Sequence, residues 1–537
     1  MKNFIQTILF LCIISSSIFS QDLDSLYHKF FTSINYSKAA DEISSGKVET
    51  IKCGMYIVNE LKENFEKLSP EQKNNLSFLQ MRPQTETSII SPSGYFRIHY
   101  NTTGVHAPGY NLNELSIALD STKKFEIDFL GYPEPPNDNG EGGDNLYDVY
   151  IQDLGSIYGY TDFMSTSNSP SFMVIDNDFN IHYTKGIDGA KVTVAHEFHH
   201  AIQVGSYLYR SNDSFFYEML STSMEEFVFD TINDYYDYIP NYYNNAQAPF
   251  YATYGGGYDL AIWNIFLKEK YGYDVIKRSL ENVVNHSALE SIANSIAEFG
   301  GSFKSDFAEF GVWNYFTGSR TKRGKYFDEA EYYPHIKPVM SINFNPSSEM
   351  VMVNSNPVSN NYLRFVDVSR GLPDTLVAIV TNNDYQSTSR TEFNYYLYNY
   401  SAEGSTNIND LYWSKITSNK KSIFSETVIF NNELAVEGNT ERVEVDFAFP
   451  QPFNYNKHAF LYIPTSKDIS GKSFLNIYTT SMDLVFSDEK DIFATDKIVV
   501  RWDGKKSNGE KLPTGVYIYV TKSGDIIKKG KLVIYNE

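Results

Sequence analysis

Apolar residues recur at helical spacing over Val192–Gln203. Val194, Phe198, Ala201 and Ile202 fall at i, i+4, i+7 and i+8 and make one stripe. A second amphipathic helix is predicted over Phe215–Phe229, after a turn or loop at Gly205–Ser214 in which Asn212, Asp213 and Ser214 are N-cap candidates. Upstream, period-two alternation predicts strands at Tyr95–Tyr100, Leu146–Gln152 and Ser171–Asp176, with a helix over Asn113–Phe129. An edge strand at Ser171–Asp176 would accept an extended peptide by strand addition. Residues 21–85 read as helical, in pieces at Leu23–Phe31, Ala39–Ile43 and Lys52–Leu68. Four further helices are predicted at Asp259–Tyr271, Val275–Val284, Ala288–Glu298 and Phe303–Phe316.

From Lys337 the pattern turns to strands between Asn, Ser and Gly turns. Asn361–Val366, Thr375–Val380, Glu392–Tyr398 and Val443–Phe449 predict a β-sandwich. A second, smaller sandwich is predicted from Arg501–Gly504, Pro513–Val520 and Lys529–Ile534, with a hairpin turn at Ser523–Gly524. This gives five segments: 1–20, 21–89, 90–336, 337–447 and 448–537. The first has Lys2, a short apolar run from Phe4 to Ile14 and small residues to Ser20, which reads as a secretory signal peptide. Residues 21–89 read as a propeptide or an N-terminal cap. No later stretch is apolar enough for a transmembrane span.

Composition narrows the setting. After such a signal Cys53 is the sole cysteine, so an exported chain has no intramolecular disulfide and depends on its cores and on ions. A net charge of −21 argues against nucleic acid and anionic membranes as partners. Asp138, Asn139, Asp144 and Asp148 offer hard oxygen ligands for calcium, or a polar turn.

The predicted helix at Val192–Gln203 carries His196-Glu197-Phe198-His199-His200. Residues four apart share a helix face, so His196 and His200 can present two imidazoles to one zinc ion, with Glu197 beside them as general base. With 10 His and 66 acidic residues in 537, chance supplies roughly 0.02 such matches, even counting Asp as Glu. His199 reads as a surface or supporting imidazole. Glu218, near the start of the second helix, is the candidate third ligand. Glu225, two turns on, is placed to orient a ligand histidine, and Glu226 reads as a solvated carboxylate. Tyr251, Tyr254, Tyr258 and His286 are candidates to stabilise a developing oxyanion, with Tyr254 preferred for its Gly-flanked loop.

Phe96–Tyr100, Leu130–Pro136, Tyr147–Leu154, Thr193–Gln203 and Tyr217–Glu225 together resemble a family of secreted bacterial metalloproteases of the gluzincin type. The resemblance covers about residues 90–335. It implies an α+β zincin-like catalytic domain with an active-site helix and a helical subdomain, and a zinc peptidase whose third ligand is Glu218. Phe449-Pro-Gln-Pro-Phe-Asn454, Trp502-Asp-Gly504 and Gly515–Tyr519 are similar to the C-terminal Ig-like sorting domains of type IX secretion substrates, with Gln451 where such domains usually have Asn. That implies contact with a secretion machinery, then release or attachment at the cell surface.

The expected function is an extracellular zinc endopeptidase acting on protein or peptide substrates. The alternative is a surface adhesin or carbohydrate-binding protein with a structural or vestigial metal site. A zinc hydrolase acting on something other than peptides is a third reading, since the motif specifies water activation and not the substrate.

Overall fold

The computed structural model describes residues 23–35, 50–252, 256–344, 348–367, 374–398, 401–406, 411–418, 427–431, 447–456, 458, 460–466, 472–494, 498–524 and 526–535. The predicted signal segment, Ala39–Ile43, Tyr254 and most of Val443–Phe449 lie outside them. The chain is a mixed α and β structure that divides into two compact units, 1–237 and 238–537. The helices predicted after residue 258 therefore fall with the β-rich part and not with the histidine motif.

The first unit is built on a six-stranded mixed sheet of β1 (Ile51–Cys53), β2 (Thr87–Ile90), β3 (Phe96–Tyr100), β4 (Tyr147–Gln152), β5 (Ile157–Phe163) and β6 (Ser171–Asp176), in the order β1-β5-β6-β4-β3-β2. Successive strand side chains point to opposite faces, and here both faces are covered. Tyr150, Phe172 and Val174 enter one apolar cluster with Tyr27 and Phe30 of α1 (residues 23–34) and Ile57, Val58 and Leu61 of α2 (Met55–Glu63). Tyr147, on the same strand as Tyr150, faces the other way and meets Phe198 edge-on at 5.5 Å. That second face carries α3 (Leu112–Lys123, with a π-helical continuation Lys124–Phe129) and α4 (Gly186–Ser206). The chain then turns into α5 (Ser214–Val228), which packs along α4.

Two expectations are corrected. Ser171–Asp176 is an interior strand between β5 and β4, not an edge. Lys52 and Cys53, read as the start of a helix, form part of β1, which lies outside β5. The strand β5 itself was not predicted: Ile157-Tyr-Gly-Tyr-Thr-Asp-Phe163 is buried on both faces at nearly every position, so no polar alternation marks it.

One glycine sets how closely α4 approaches the sheet. A Cβ at Gly159 of β5 would lie 2.8 Å from Thr193 Cγ2 and 3.0 Å from the Val174 carbonyl. Only a residue without a side chain fits there.

In the second unit, helices at Ala261–Tyr271, Asp274–Asn282, Ala288–Glu298 and Phe303–Tyr315 agree closely with the predicted ones. Five- and three-stranded sheets follow over Met340–Asn431. The last segment is a seven-stranded sheet whose core runs from Ala448 to Ile534 around Trp502, Phe453 and Tyr519, with no member from outside the segment among the described residues. Among the described residues no helix is long and apolar enough to cross a membrane.

Gly159→Ala is expected to destabilise the first unit by about 1–3 kcal/mol through overpacking between β5 and α4. Chemical denaturation followed by far-UV circular dichroism of the variant and the wild type checks it.

Candidate metal centre

Helix α4 carries the motif because almost every side it offers is buried. His196, Glu197, His199 and His200 are all within 1% of complete burial. Phe198 anchors the far side, 5.2 Å from the Phe96 ring. His196 and His200, one turn apart, face α5, and Glu218 reaches back from the first turns of that helix. His196 Nε2 lies 3.1 Å from Glu218 Oε2, His200 Nε2 lies 3.3 Å from the same oxygen, and the two Nε2 atoms are 3.1 Å apart.

The hydrogen bonds behind the rings fix their tautomers. His196 Nδ1 is 2.7 Å from Glu225 Oε1, an acceptor, so Nδ1 carries the proton and Nε2 presents a lone pair. His200 Nδ1 is 2.7 Å from Gln203 Oε1, whose amide nitrogen donates to the Tyr217 carbonyl. The same tautomer follows. Two imidazole lone pairs and a carboxylate oxygen thus converge in a buried space. Such a set repels itself unless a cation sits among it.

In a metal-free chain a proton takes that part. Burial pushes the His196 imidazole down, but hydrogen bonds and charges from Glu218 and Glu225 outweigh it and lift it to about 9. Burial would raise Glu218, but the His200 charge and the hydrogen bonds from both histidines hold it at about 2. The buried group that could hold a metal ion has a fourth member, Cys53 of β1, whose Sγ and the other three donor atoms all lie within 4.8 Å of one another. No sequence pattern singled out Cys53. Its only mark was being the sole cysteine after the signal-like start.

Glu197 sits beside this group. Its Oε2 is 2.8 Å from the Thr161 hydroxyl of β5, while Oε1 is buried and makes no conventional hydrogen bond. Burial raises its carboxyl, against the opposing charges of His196 and His200. Behind Glu225, Lys52 Nζ lies 2.9 Å from Glu225 Oε2 and 2.5 Å from Asp234. Burial would push the Lys52 ammonium down, but the charges of Asp234 and Glu225 overcome this and hold it protonated.

The other predicted residues fall elsewhere. His199 is neither a member of the group nor at the surface. It is fully buried, with Nδ1 2.8 Å from Glu126 Oε2 and the ring against Tyr132. Burial, then the charges of His200 and His196, keeps it well below the usual imidazole range. Glu226, read as solvated, is buried. Asp138 and Asp148 pair with Arg82, and Asp144 pairs with Arg97, so guanidinium groups occupy the carboxylates considered for calcium. Tyr251, Tyr258 and His286 belong to the second unit, and Tyr254 lies outside the described residues.

Compared with known proteins, the chain matches no family model and no curated protein.

His200→Ala is expected to weaken zinc binding by at least tenfold more than His199→Ala, because only the former removes a converging donor. Competition with a chromogenic chelator measures both. For the wild type, a proton on His196 competes with metal below about pH 9. Its folded-state value is raised, so the proton is bound at neutral pH and lost as pH rises through that value. Apparent zinc affinity should therefore climb with pH to about 9, with at least one proton released per metal at pH 7.5 by calorimetry in buffers of different ionisation heat.

Proposed function

We propose that this chain is a zinc-dependent peptidase of the secreted, zincin-like kind. The observation that carries the reading is the convergence of His196 Nε2, His200 Nε2 and Glu218 Oε2 beside a buried carboxylate, Glu197, whose Oε1 has no nitrogen or oxygen donor bonded to it. A donor set of two imidazoles and a carboxylate suits zinc, which when bound lowers the pKa of water and polarises a carbonyl.

The protein's own groups then have distinct tasks. Glu225 and Gln203 hold the two imidazoles in the ligating tautomer. Thr161 holds Glu197 by Oε2, so that Oε1 serves as the proton acceptor. Glu197 takes a proton from the attacking water and returns it to the leaving amine. Burial, which raises its carboxyl, favours a group that both accepts and gives back a proton. The signal-like start, and a final segment with a core of its own, support export through a sorting module.

A second reading has one specific observation in its favour. Cys53 brings a fourth protein donor to the group, and closed four-donor sites are characteristically structural. The intact Glu197 weighs against it, because a structural site needs no base.

Glu197→Gln is expected to keep zinc stoichiometry and fold while lowering peptide hydrolysis by about 10²–10⁴-fold. The assay follows a quenched fluorescent peptide mixture, before and after limited proteolysis of the chain. Wild-type turnover in this variant would sink the general-base role, and no hydrolysis by any form would sink the peptidase reading. A chain ending before Ala448 should be retained by the producing cell yet still bind zinc; its normal export would rule out the sorting role.

A further inference from the structure

Among the described residues the strand β1 joins the sheet through β5 alone, and it is three residues long. Ile51 pairs with Ile157 and Cys53 with Gly159, in parallel. Ile51 N–H donates to the Ser156 carbonyl and Gly54 N–H to the Gly159 carbonyl, both at 2.8 Å. Without β1, β5 would be the edge of the sheet, with its backbone groups open to another strand.

That edge lies along the metal group. Gly159, opposite Cys53, lies against α4 so tightly that a Cβ there would be 3.4 Å from Glu197 Cγ. Thr161, two residues on, bonds Glu197 directly. A strand seated on β5 at this register therefore passes the base and the converging donors. Peptides bind such edges by main-chain hydrogen bonds.

We propose that β1 occupies the seat of an extended peptide substrate on the β5 edge, and that the Cys53 thiolate closes the metal group as its fourth protein donor, so that the chain as folded is latent. This rests on the peptidase reading and adds its substrate-binding strand and its regulation. The cysteine does not stand alone. Its sulfur lies with His196, His200 and Glu218 donor atoms inside 4.8 Å, and the buried Glu197 carboxyl beside them interacts with the Cys53 thiol while its Oε1 has no nitrogen or oxygen donor. A permanently closed site gains nothing from such a carboxylate, whereas a site that opens uses it.

The geometry also contains a route to opening. Residues 81–86 connect the N-terminal layer to β2 without helix or strand, and Met81 is 67% exposed. A cut there severs the segment bearing β1 from β2 to β6, which stay continuous, and leaves it held by packing and ion pairs alone. A peptide running opposite to β1 would pair antiparallel with β5, the more stable ladder, and so competes well with a short parallel strand.

The test uses the full chain as wild type, Cys53→Ala and Cys53→Ser, each loaded with zinc or with cobalt(II). Wild-type cobalt protein should show a sulfur-to-cobalt charge-transfer band that both variants lack, with about one metal per chain in all three. Hydrolysis of the quenched peptide mixture should rise at least tenfold in the variants, and in wild type cut within 81–86. The serine variant and the cut wild type guard against misfolding of the alanine one. Absence of the sulfur band in wild type overturns the proposal whatever the activity. A band that is present, with variants and cut chain hydrolysing no faster than an active wild type, overturns the latent state. A band that is present with no hydrolysis by any form, cut or uncut, overturns the peptidase reading and leaves Cys53 as a donor in a structural site.

Discussion

Three buried lone-pair atoms within 3.3 Å of one another are the constraint on which the first unit depends. With neither a proton nor a cation among them, His196 Nε2, His200 Nε2 and Glu218 Oε2 would repel, since each presents a lone pair. Packing forces them together. Phe198 fixes the rotation of α4 against the sheet, and α5 is pressed along the opposite side. The folded chain thus stores a demand for positive charge, which a proton meets in part and a metal ion meets better. Because the groups are buried, the demand is stronger than the same groups would make in water.

The surrounding charges extend that logic outward. Glu225 accepts from His196 and is itself held by Lys52, which also pairs with Asp234; Tyr158 bonds Asp234 on the other oxygen. Removing one member of a buried ion pair costs about 3–5 kcal/mol. The chain of contacts therefore ties β1, through Lys52, to the orientation of a donor imidazole, while the next residue, Cys53, reaches the donors themselves. One three-residue strand acts on the site from two sides. On the far side, His199 and Glu126 make a separate buried pair that links α4 to the π-helical end of α3 and keeps that imidazole away from the site.

What could be read from the sequence follows from what repeats along it. The histidine helix, its partner helix and the helices from 261 to 315 have local periodicity, and their positions agree closely with the structure, except that the histidine helix starts six residues before Val192, at Gly186. His196, His200 and Glu218 were legible because helical spacing is a local rule and α5 follows α4 after a short turn. Cys53 and Lys52 were not, because each meets its partners more than 140 residues away through a strand pairing that no local pattern encodes. For the same reason β5 was not legible, as its buried run shows no alternation. Burial misled in the opposite direction at Glu226, where residue type suggested solvent and tertiary packing supplied enclosure; for His199 it removes the surface alternative and leaves the supporting one.

The N-terminal layer presents competing demands, and their balance decides how it can move. Tyr27, Phe30, Ile57, Val58 and Leu61 share one apolar cluster with Tyr150, Phe172 and Val174 of the sheet. Losing the whole layer would uncover that face, at about 25 cal/mol for each Å² of apolar surface returned to water. Withdrawing β1 alone uncovers less: it ends the short ladder to β5, takes Ile51 from the cluster, releases one sulfur and separates Lys52 from its two carboxylates. The ion pairs weigh most in that smaller movement, since both carboxylates are buried and Lys52 is the ammonium that faces them both. A strand that leaves the β5 edge must therefore take Lys52 into water while Glu225 keeps its hydrogen bond to His196. A metal ion bound there would help, because positive charge at Nε2 would strengthen the Nδ1–H donor that Glu225 accepts. The same carboxylate is thus stabilised from the strand side when the site is closed and from the metal side when it is open.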